Sequence, residues 1–239
     1  MISVILPAYN EGTKIGDVIE ETVKALDNTA SDWEIVVVDD GSEDSTPTIV
    51  KEFAENDGRI KVFSYEKNKG KGFALKYGFE HSRGDIVVFM DADLDLHPRQ
   101  IKKFIEIMNK EGADIVIGSK RHPESTVSYP IKRRVLSDIY FLMVKILFNL
   151  NVKDTQVGLK LFRRKVLRDV MPRILVKRYA FDVEVLANAV KRGYKIVEAP
   201  VEITFNYDSR INWKAIWNMF VDTLAVAYKM YIKKYYDRV

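Results

Sequence analysis

The chain has 239 residues, 47% apolar and 30% charged, with 38 basic and 34 acidic side chains for a net charge of +4. This composition excludes a disordered chain, and the absence of cysteine excludes disulfides, thiolate metal sites and a cysteine nucleophile. The charge is divided along the chain, net −8 over residues 1–120 and net +12 over 121–239, which excludes a uniformly charged nucleic-acid coat protein.

A first strand is predicted at 2–6, too close to the N-terminus for a signal peptide to be expected ahead of it. Further β-branched runs at 34–38, 60–64, 85–90 and 114–117 alternate with segments of helical period near 13–27, 45–57, 71–82 and 98–111. Continuous apolar strands alternating with helices predict a parallel sheet covered on both faces. Such sheets bind ligands beyond the carboxyl ends of their strands. At those ends stand Pro7-Ala8-Tyr9-Asn10-Glu11, Asp39-Asp40-Gly41-Ser42 and Asp91-Ala92-Asp93-Leu94-Asp95. Asp91, Asp93 and Asp95 alternate, so on an extended chain they share a face. Three adjacent carboxylates repel unless a cation compensates, and a hard divalent ion such as Mg²⁺ or Mn²⁺ is the partner that oxygen donors imply. The acids at 39–40 accept hydrogen bonds from a base or ribose, or cap the helix near 45; the two readings stand side by side. Asn68-Lys69-Gly70-Lys71-Gly72 lacks the spacing of a phosphate loop and reads as the start of a helix.

A compositional shift near 120 is the one boundary worth drawing. Beyond it, Lys132-Arg133-Arg134 opens an apolar segment, 131–150, where a helix dipole disfavours cations and an external anion would offset them. Arg133 and Ser137 are four apart and share a helical face, and a guanidinium fork with a hydroxyl suits a phosphate monoester. Val135, Ile139, Leu142 and Ile146, with Leu136, Tyr140, Met143 and Leu147, form two adjoining apolar stripes on that helix. A polar stretch is expected at 151–165, a helix near 180–192 and a strand near 195–205. The tail places apolar residues at 213, 217, 220, 224, 228, 231 and 235, one face of a helix about six turns long. No stretch reaches the roughly 18 uninterrupted apolar residues of a membrane span. The two amphipathic helices, basic and aromatic, suit a membrane surface or a core.

The motifs at 7–11, 38–42, 68–72 and 91–93, in this order and spacing, resemble glycosyltransferase family 2. That resemblance implies a GT-A (Rossmann-like) fold, a nucleotide-sugar donor and a divalent metal. In the second half, Gly118-Ser119-Lys120, Arg133 to Ser137, Asp154 to Phe162 and Ala180-Phe181-Asp182-Val183-Glu184 are similar to the polyprenyl-phosphate sugar synthases, the dolichyl-phosphate glucose and mannose synthases in particular. By resemblance, residues 1–120 are the nucleotide-sugar half and 121–210 the acceptor half, with 211–239 an amphipathic interface helix. Pro7, Tyr9, Glu11, Val38 and Asp40 would hold the nucleoside. Asp91, Ala92 and Asp93 would form the D-x-D segment, with Asp93 and Asp95 on Mg²⁺ or Mn²⁺. Lys120 would face the diphosphate, Arg210 would reach into the site, and Arg133 with Ser137 would grip the lipid phosphate. The implied reaction is inverting transfer of a hexose, with UDP-glucose favoured, to dolichyl or polyprenyl phosphate at the cytoplasmic face of a membrane, by a peripheral enzyme with no nucleic-acid partner. GDP-mannose as donor, or a non-lipid acceptor, is the alternative. Missing the further arginine of the mannose synthases, and matching better at 154–162 and 180–184, the chain leans toward glucose.

Overall fold

The structure is a computed structural model that describes residues 1–127, 131–178, 180–203 and 213–238, with the side chains of 131–135 outside the description. Arg133 (as a side chain) and Arg210 therefore lie outside the described residues, as does the end of the strand expected to reach 205.

The first 120 residues fold as the period of their sequence dictates. Strands β1 (Ile2–Ala8), β2 (Trp33–Asp39), β3 (Ile60–Ser64), β4 (Ile86–Met90) and β5 (Ile115–Ser119) alternate with helices α1 (Ile15–Asp27), α2 (Thr46–Asn56), α3 (Lys71–His81) and α4 (Gln100–Lys110). Successive strand residues point to opposite faces and are buried on both. Ile5, Val36, Val38 and Phe89 join one core, while Val4, Leu6, Val37 and Val88 join the other. The latter packs under α1, α2 and α4 through Ile19, Val50 and Phe104.

The second half adds β6 (Thr126–Val127), α5 (Ile131–Phe148), β7 (Leu159–Arg163), α6 (Arg164–Val170), a 3-10 turn at Met171–Arg173, α7 (Phe181–Lys191), β8 (Ile196–Pro200), β9 (Glu202–Ile203) and α8 (Trp213–Ala227). The main sheet runs β3-β2-β1-β4-β7-β5-β8. It is parallel except for β7, which pairs antiparallel with both β4 and β5. The mostly parallel, helix-flanked sheet is the one expected. Strand β7 corrects the polar stretch expected at 151–165. Its buried Lys160 interrupts the apolar pattern because the ammonium pairs with Asp182 at 2.9 Å inside the protein. Being antiparallel, β7 starts at the edge where the parallel strands end, with Leu159 opposite Met90.

The two helices expected to be amphipathic dock in a particular way. On α5, Tyr140, Val144 and Phe148 enter the core, whereas Ile139, Leu142 and Ile146 stay exposed. On α8, Thr223, Val226 and Ala227 are buried, and the predicted stripe of Trp213, Trp217, Leu224, Tyr228 and Tyr231 faces outward. The helices meet through a hydrogen bond of 2.9 Å between the Tyr140 and Thr223 hydroxyls. The tail is not the single six-turn helix that the spacing predicts. A π-helical turn at Tyr228–Ile232 shifts the phase, Lys234 takes a left-handed conformation (φ 49°), and a 3-10 turn at Tyr235–Asp237 drives Tyr236 into the core. Burial of that ring, bonded to Glu184, outweighs continuation of the helix.

Candidate active site

Strand order reverses on either side of β1, and a crevice opens there beyond the strand ends. It holds a cavity of about 500 Å³, the size of a nucleotide-scale ligand site. Pro7, Tyr9, Glu11, Asp40, Asp91, Ala92 and Asp93, all predicted from the sequence, line it.

The loops after β1 and β2 are fastened to each other. Asn10, in a left-handed conformation (φ 55°), donates its N–H to the Ser42 Oγ at 2.9 Å and accepts the Glu43 N–H at 2.9 Å. Glu11 donates its N–H to the Thr46 hydroxyl at 2.9 Å. Asp40 is buried, and its carboxylate accepts the Tyr65 hydroxyl (2.7 Å) and the N–H groups of Lys69 (2.7 Å) and Gly70 (2.8 Å). It thereby orders the 68–72 loop, which does start α3 as expected and also borders the cavity. Gly70 needs its positive φ of 96° there, and a Cβ would collide with the Lys177 carbonyl at 2.7 Å. Asp39 accepts the Ser42 N–H at 3.1 Å, a turn contact. Val38 is fully buried in the core, and its side chain does not line the cavity.

The acidic segment differs from expectation in shape. Strand β4 ends at Met90, Leu94 is left-handed (φ 60°), and the Asp95 N–H donates to the Asp93 Oδ1 at 3.0 Å. This is a turn, so the three carboxylates do not share one face of an extended strand, and among the described residues no group of three or more His, Asp or Glu side chains is arranged to hold a metal ion. Asp91 pairs with the Lys71 ammonium, and its N–H donates to the Gly158 carbonyl at 3.1 Å. Burial, together with the charges of Asp91 and Asp95, pushes the Asp93 carboxyl up to about 6. Burial likewise raises the Glu11 carboxyl, with Asp93, Asp44 and Asp91 adding to it against Lys14. The crevice thus has an excess of negative charge around Asp93. The oxygen donors gathered there, Asp91, Asp93 and Glu11, are of the hard class that suits Mg²⁺ or Mn²⁺.

Sequence reasoning gave no role to Lys71, Gln156, Arg178 or Asp182, which also line the cavity. Lys71 was legible as a cation immediately after a glycine turn. Gln156 and Asp182 fall in runs that carry the family resemblance, yet only the antiparallel β7 explains why Gln156 reaches this edge. Asp91, Asp182 and Asp93 around the partly exposed Lys71 ammonium raise its pKa and keep it charged. Lys120 donates its N–H to Asp154 (3.2 Å) and pairs with that carboxylate through its ammonium (3.4 Å), outside the cavity lining. Ser137 borders a small recess that shares Gln156 with the main cavity. Its hydroxyl accepts the Arg121 guanidinium at 3.3 Å, and Arg121 also pairs with Asp138 at 2.5 Å.

Residues 3–171 match the family model described as "Glycosyl transferase family 2". A dolichyl-phosphate beta-glucosyltransferase of Trichomonas vaginalis is 35% identical over 236 residues, 93% of this chain and 69% of that protein. The dolichyl-phosphate beta-glucosyltransferase of Dictyostelium discoideum is 33% identical over 216 residues, covering 85% of this chain and 66% of that one. Among solved structures, glucosyl-3-phosphoglycerate synthase from Mycobacterium tuberculosis, in complex with Mn²⁺, UDP and phosphoglyceric acid, superposes with a TM-score of 0.74 at 22% identity, covering 96% of this chain and 78% of that one.

Proposed function

The chain belongs to glycosyltransferase family 2, and from that membership we propose that it transfers glucose from UDP-glucose to dolichyl or polyprenyl phosphate with inversion, giving a β-linked lipid-phosphate glucose. The carrying observation is the crevice itself. Asp91 and Asp93 meet Lys71 and the 68–72 loop on one side, and through Gln156 the cavity adjoins the recess of Ser137 on the other. Gln156, common to both linings, supports a reading in which a donor end and an acceptor end lie side by side. The names of the curated relatives and the UDP and Mn²⁺ of the solved neighbour support the same substrates.

In this reading Pro7, Tyr9, Glu11 and Asp40 line the nucleoside pocket, with Val38 contributing backbone. Asp93 and Asp95 would hold Mg²⁺ or Mn²⁺, which when bound offsets the charge of the departing diphosphate. Lys71, already charged, adds a second cation at that end; by resemblance Arg210 would reach it too, whereas Lys120 would have to leave Asp154 to face the diphosphate. Arg133 and Ser137 hold the acceptor phosphate, with Arg121 orienting the Ser137 hydroxyl. An oxygen of that phosphate forms the bond to the anomeric carbon while the bond from that carbon to the diphosphate breaks, and the diphosphate leaves with the electron pair. The acceptor is already ionised at neutral pH, so no proton has to be removed. Asp182, held by the buried Lys160, is accordingly a charge-paired wall of the site and not a base. Catalysis rests on alignment and on electrostatic stabilisation of the leaving group.

Among the described residues, no helix is long and apolar enough to cross a membrane. The outward apolar and aromatic side chains of α5 and α8, with Lys145, Lys214 and Lys229 nearby, would rest on the cytoplasmic face of a bilayer as a peripheral anchor. A donor screen with dolichyl phosphate and Mn²⁺ tests the assignment. UDP-glucose is expected to give product. Turnover of GDP-mannose in its place would replace the sugar, and activity only with water-soluble acceptors would overturn the lipid acceptor.

A further inference from the structure

The last turn of the chain reaches the donor crevice through an unbroken series of hydrogen bonds. Tyr236 is buried, and its hydroxyl donates to the Glu184 carboxylate. Glu184, fully buried in the first turns of α7, accepts the N–H groups of Val176 (2.8 Å) and Leu175 (3.1 Å to the nearer oxygen). Those two residues start the strap 175–178. Its Lys177 carbonyl accepts the N–H groups of Gly72 (2.9 Å) and Phe73 (3.3 Å), and its Arg178 stem packs where a Cβ on Gly70 would stand. Gly70 and Lys69 in turn donate to Asp40 at the cavity wall. A second observation places the tail beside the same loop. A recess between them is lined by Asn68, Lys69, Arg178, Asp222, Ala225 and Lys229.

The cost of burying the Glu184 carboxylate is offset only by its three donors, so the carboxylate and the groups that donate to it are fixed together. We propose that Tyr236 and Glu184 are positioning residues of the donor site: the Tyr236 hydroxyl fixes the Glu184 carboxylate, Glu184 fixes the strap 175–178, and the strap holds the 68–72 loop in its ligand-ready shape against Asp40. Neither side chain lines the cavity, so both act through the strap. This rests on the reading of that crevice as the nucleotide-donor site.

The test is binding of UDP with Mn²⁺ to the full chain by calorimetry, for wild type, Tyr236→Phe, Glu184→Gln and Thr223→Val. Tyr236→Phe keeps the ring and removes one hydrogen bond to a charged group, so Kd is expected to rise roughly threefold to tenfold, and Glu184→Gln to do the same. Donor KM should follow Kd while kcat at saturation changes less than about twofold, because only loop order is lost. Thr223→Val removes a buried tail hydrogen bond off this path, so its Kd should equal that of wild type even where its Tm falls. Unchanged Kd in folded Tyr236→Phe and Glu184→Gln overturns the proposal, as does an equal loss in Thr223→Val. If wild type fails to bind UDP, the donor reading fails by itself. The strap is then read from amide exchange at Gly70 and Gly72, expected to quicken in Tyr236→Phe, and unchanged exchange overturns the positioning role.

Discussion

At the scale of single residues, the site depends on a few carboxylates whose surroundings set their chemistry. Asp93→Ala should abolish transfer, by at least on the order of 10³-fold, while the circular dichroism and Tm remain near wild type, because the side chain caps only a turn. If Asp93 holds the cation as proposed, protons compete with it for a carboxyl raised to about 6 by burial and by Asp91 and Asp95. Mn²⁺ affinity should therefore fall as pH drops through about 6, and calorimetry across pH 5–7.5 measures it. In Asp91→Asn one of the like charges is gone, so the pH of half-loss should move down. Gly158 is as telling. A Cβ there would stand 2.2 Å from the Asp91 Oδ2, so Gly158→Ala should displace Asp91 and lower kcat about tenfold or more with little change in global stability. These residues were unequally legible in the sequence. Alternating aspartates announce a cation, but the left-handed Leu94 that folds them into a turn leaves no trace in the pattern. Asp40 illustrates the same limit. Two readings of it, ligand-binding and helix-capping, are open in the sequence; the structure places it in the cavity lining and adds a third role, fastening the 68–72 loop through partners 25 to 30 residues away.

At the scale of elements, the five parallel strands and four helices of the first 120 residues follow from hydrophobic period and fall within one or two residues of expectation. Long-range pairing is what the pattern misses. Strand β7 has a lysine in its interior, and only the carboxylate of Asp182 on a different element makes that lysine tolerable there. The tail fails for a related reason, since the attraction of a buried site for Tyr236 cannot be read from helical spacing. At the opposite edge of the sheet a second buried network ties elements together. Glu34 on β2 accepts the Ser3 hydroxyl (2.7 Å), the Lys61 ammonium (2.5 Å) and the Arg83 N–H (2.5 Å). Burial would raise its carboxyl, but these three partners together hold it below the ordinary value. An acid depressed in the folded state contributes stability that is present above the ordinary carboxylate range and is lost as pH falls through the lowered value. Glu34→Ala should cost about 3 kcal/mol by urea unfolding at pH 7, since three donors lose their acceptor. Glu34→Gln should flatten the acid limb of the Tm–pH curve.

For the whole molecule, the split between a net −8 half and a net +12 half corresponds to a crevice lined by carboxylates and to a second half that carries the outward aromatic face. Trp213 and Trp217 are 66% and 69% exposed, so replacing both with Ala should leave Tm within about 1 °C. The same change should cut binding to anionic vesicles severalfold in a sedimentation assay, and undiminished binding would remove α8 from the anchor. Salt should weaken vesicle binding as well, because part of the attraction is to Lys side chains. One feature of the sheet also governs how the chain comes together in time. Strand β7 lies between β4 and β5, yet it is made some forty residues after β5. Until it arrives, β4 and β5 have no hydrogen-bonded neighbour in common, and apolar strand edges stay open. A nascent chain on the ribosome therefore passes through a long interval in which its first five strands exist but cannot close, and commitment to the native fold waits for a late segment to insert at the centre. Pulse proteolysis of stalled chains should find protection rising abruptly once residue 163 has cleared the exit tunnel.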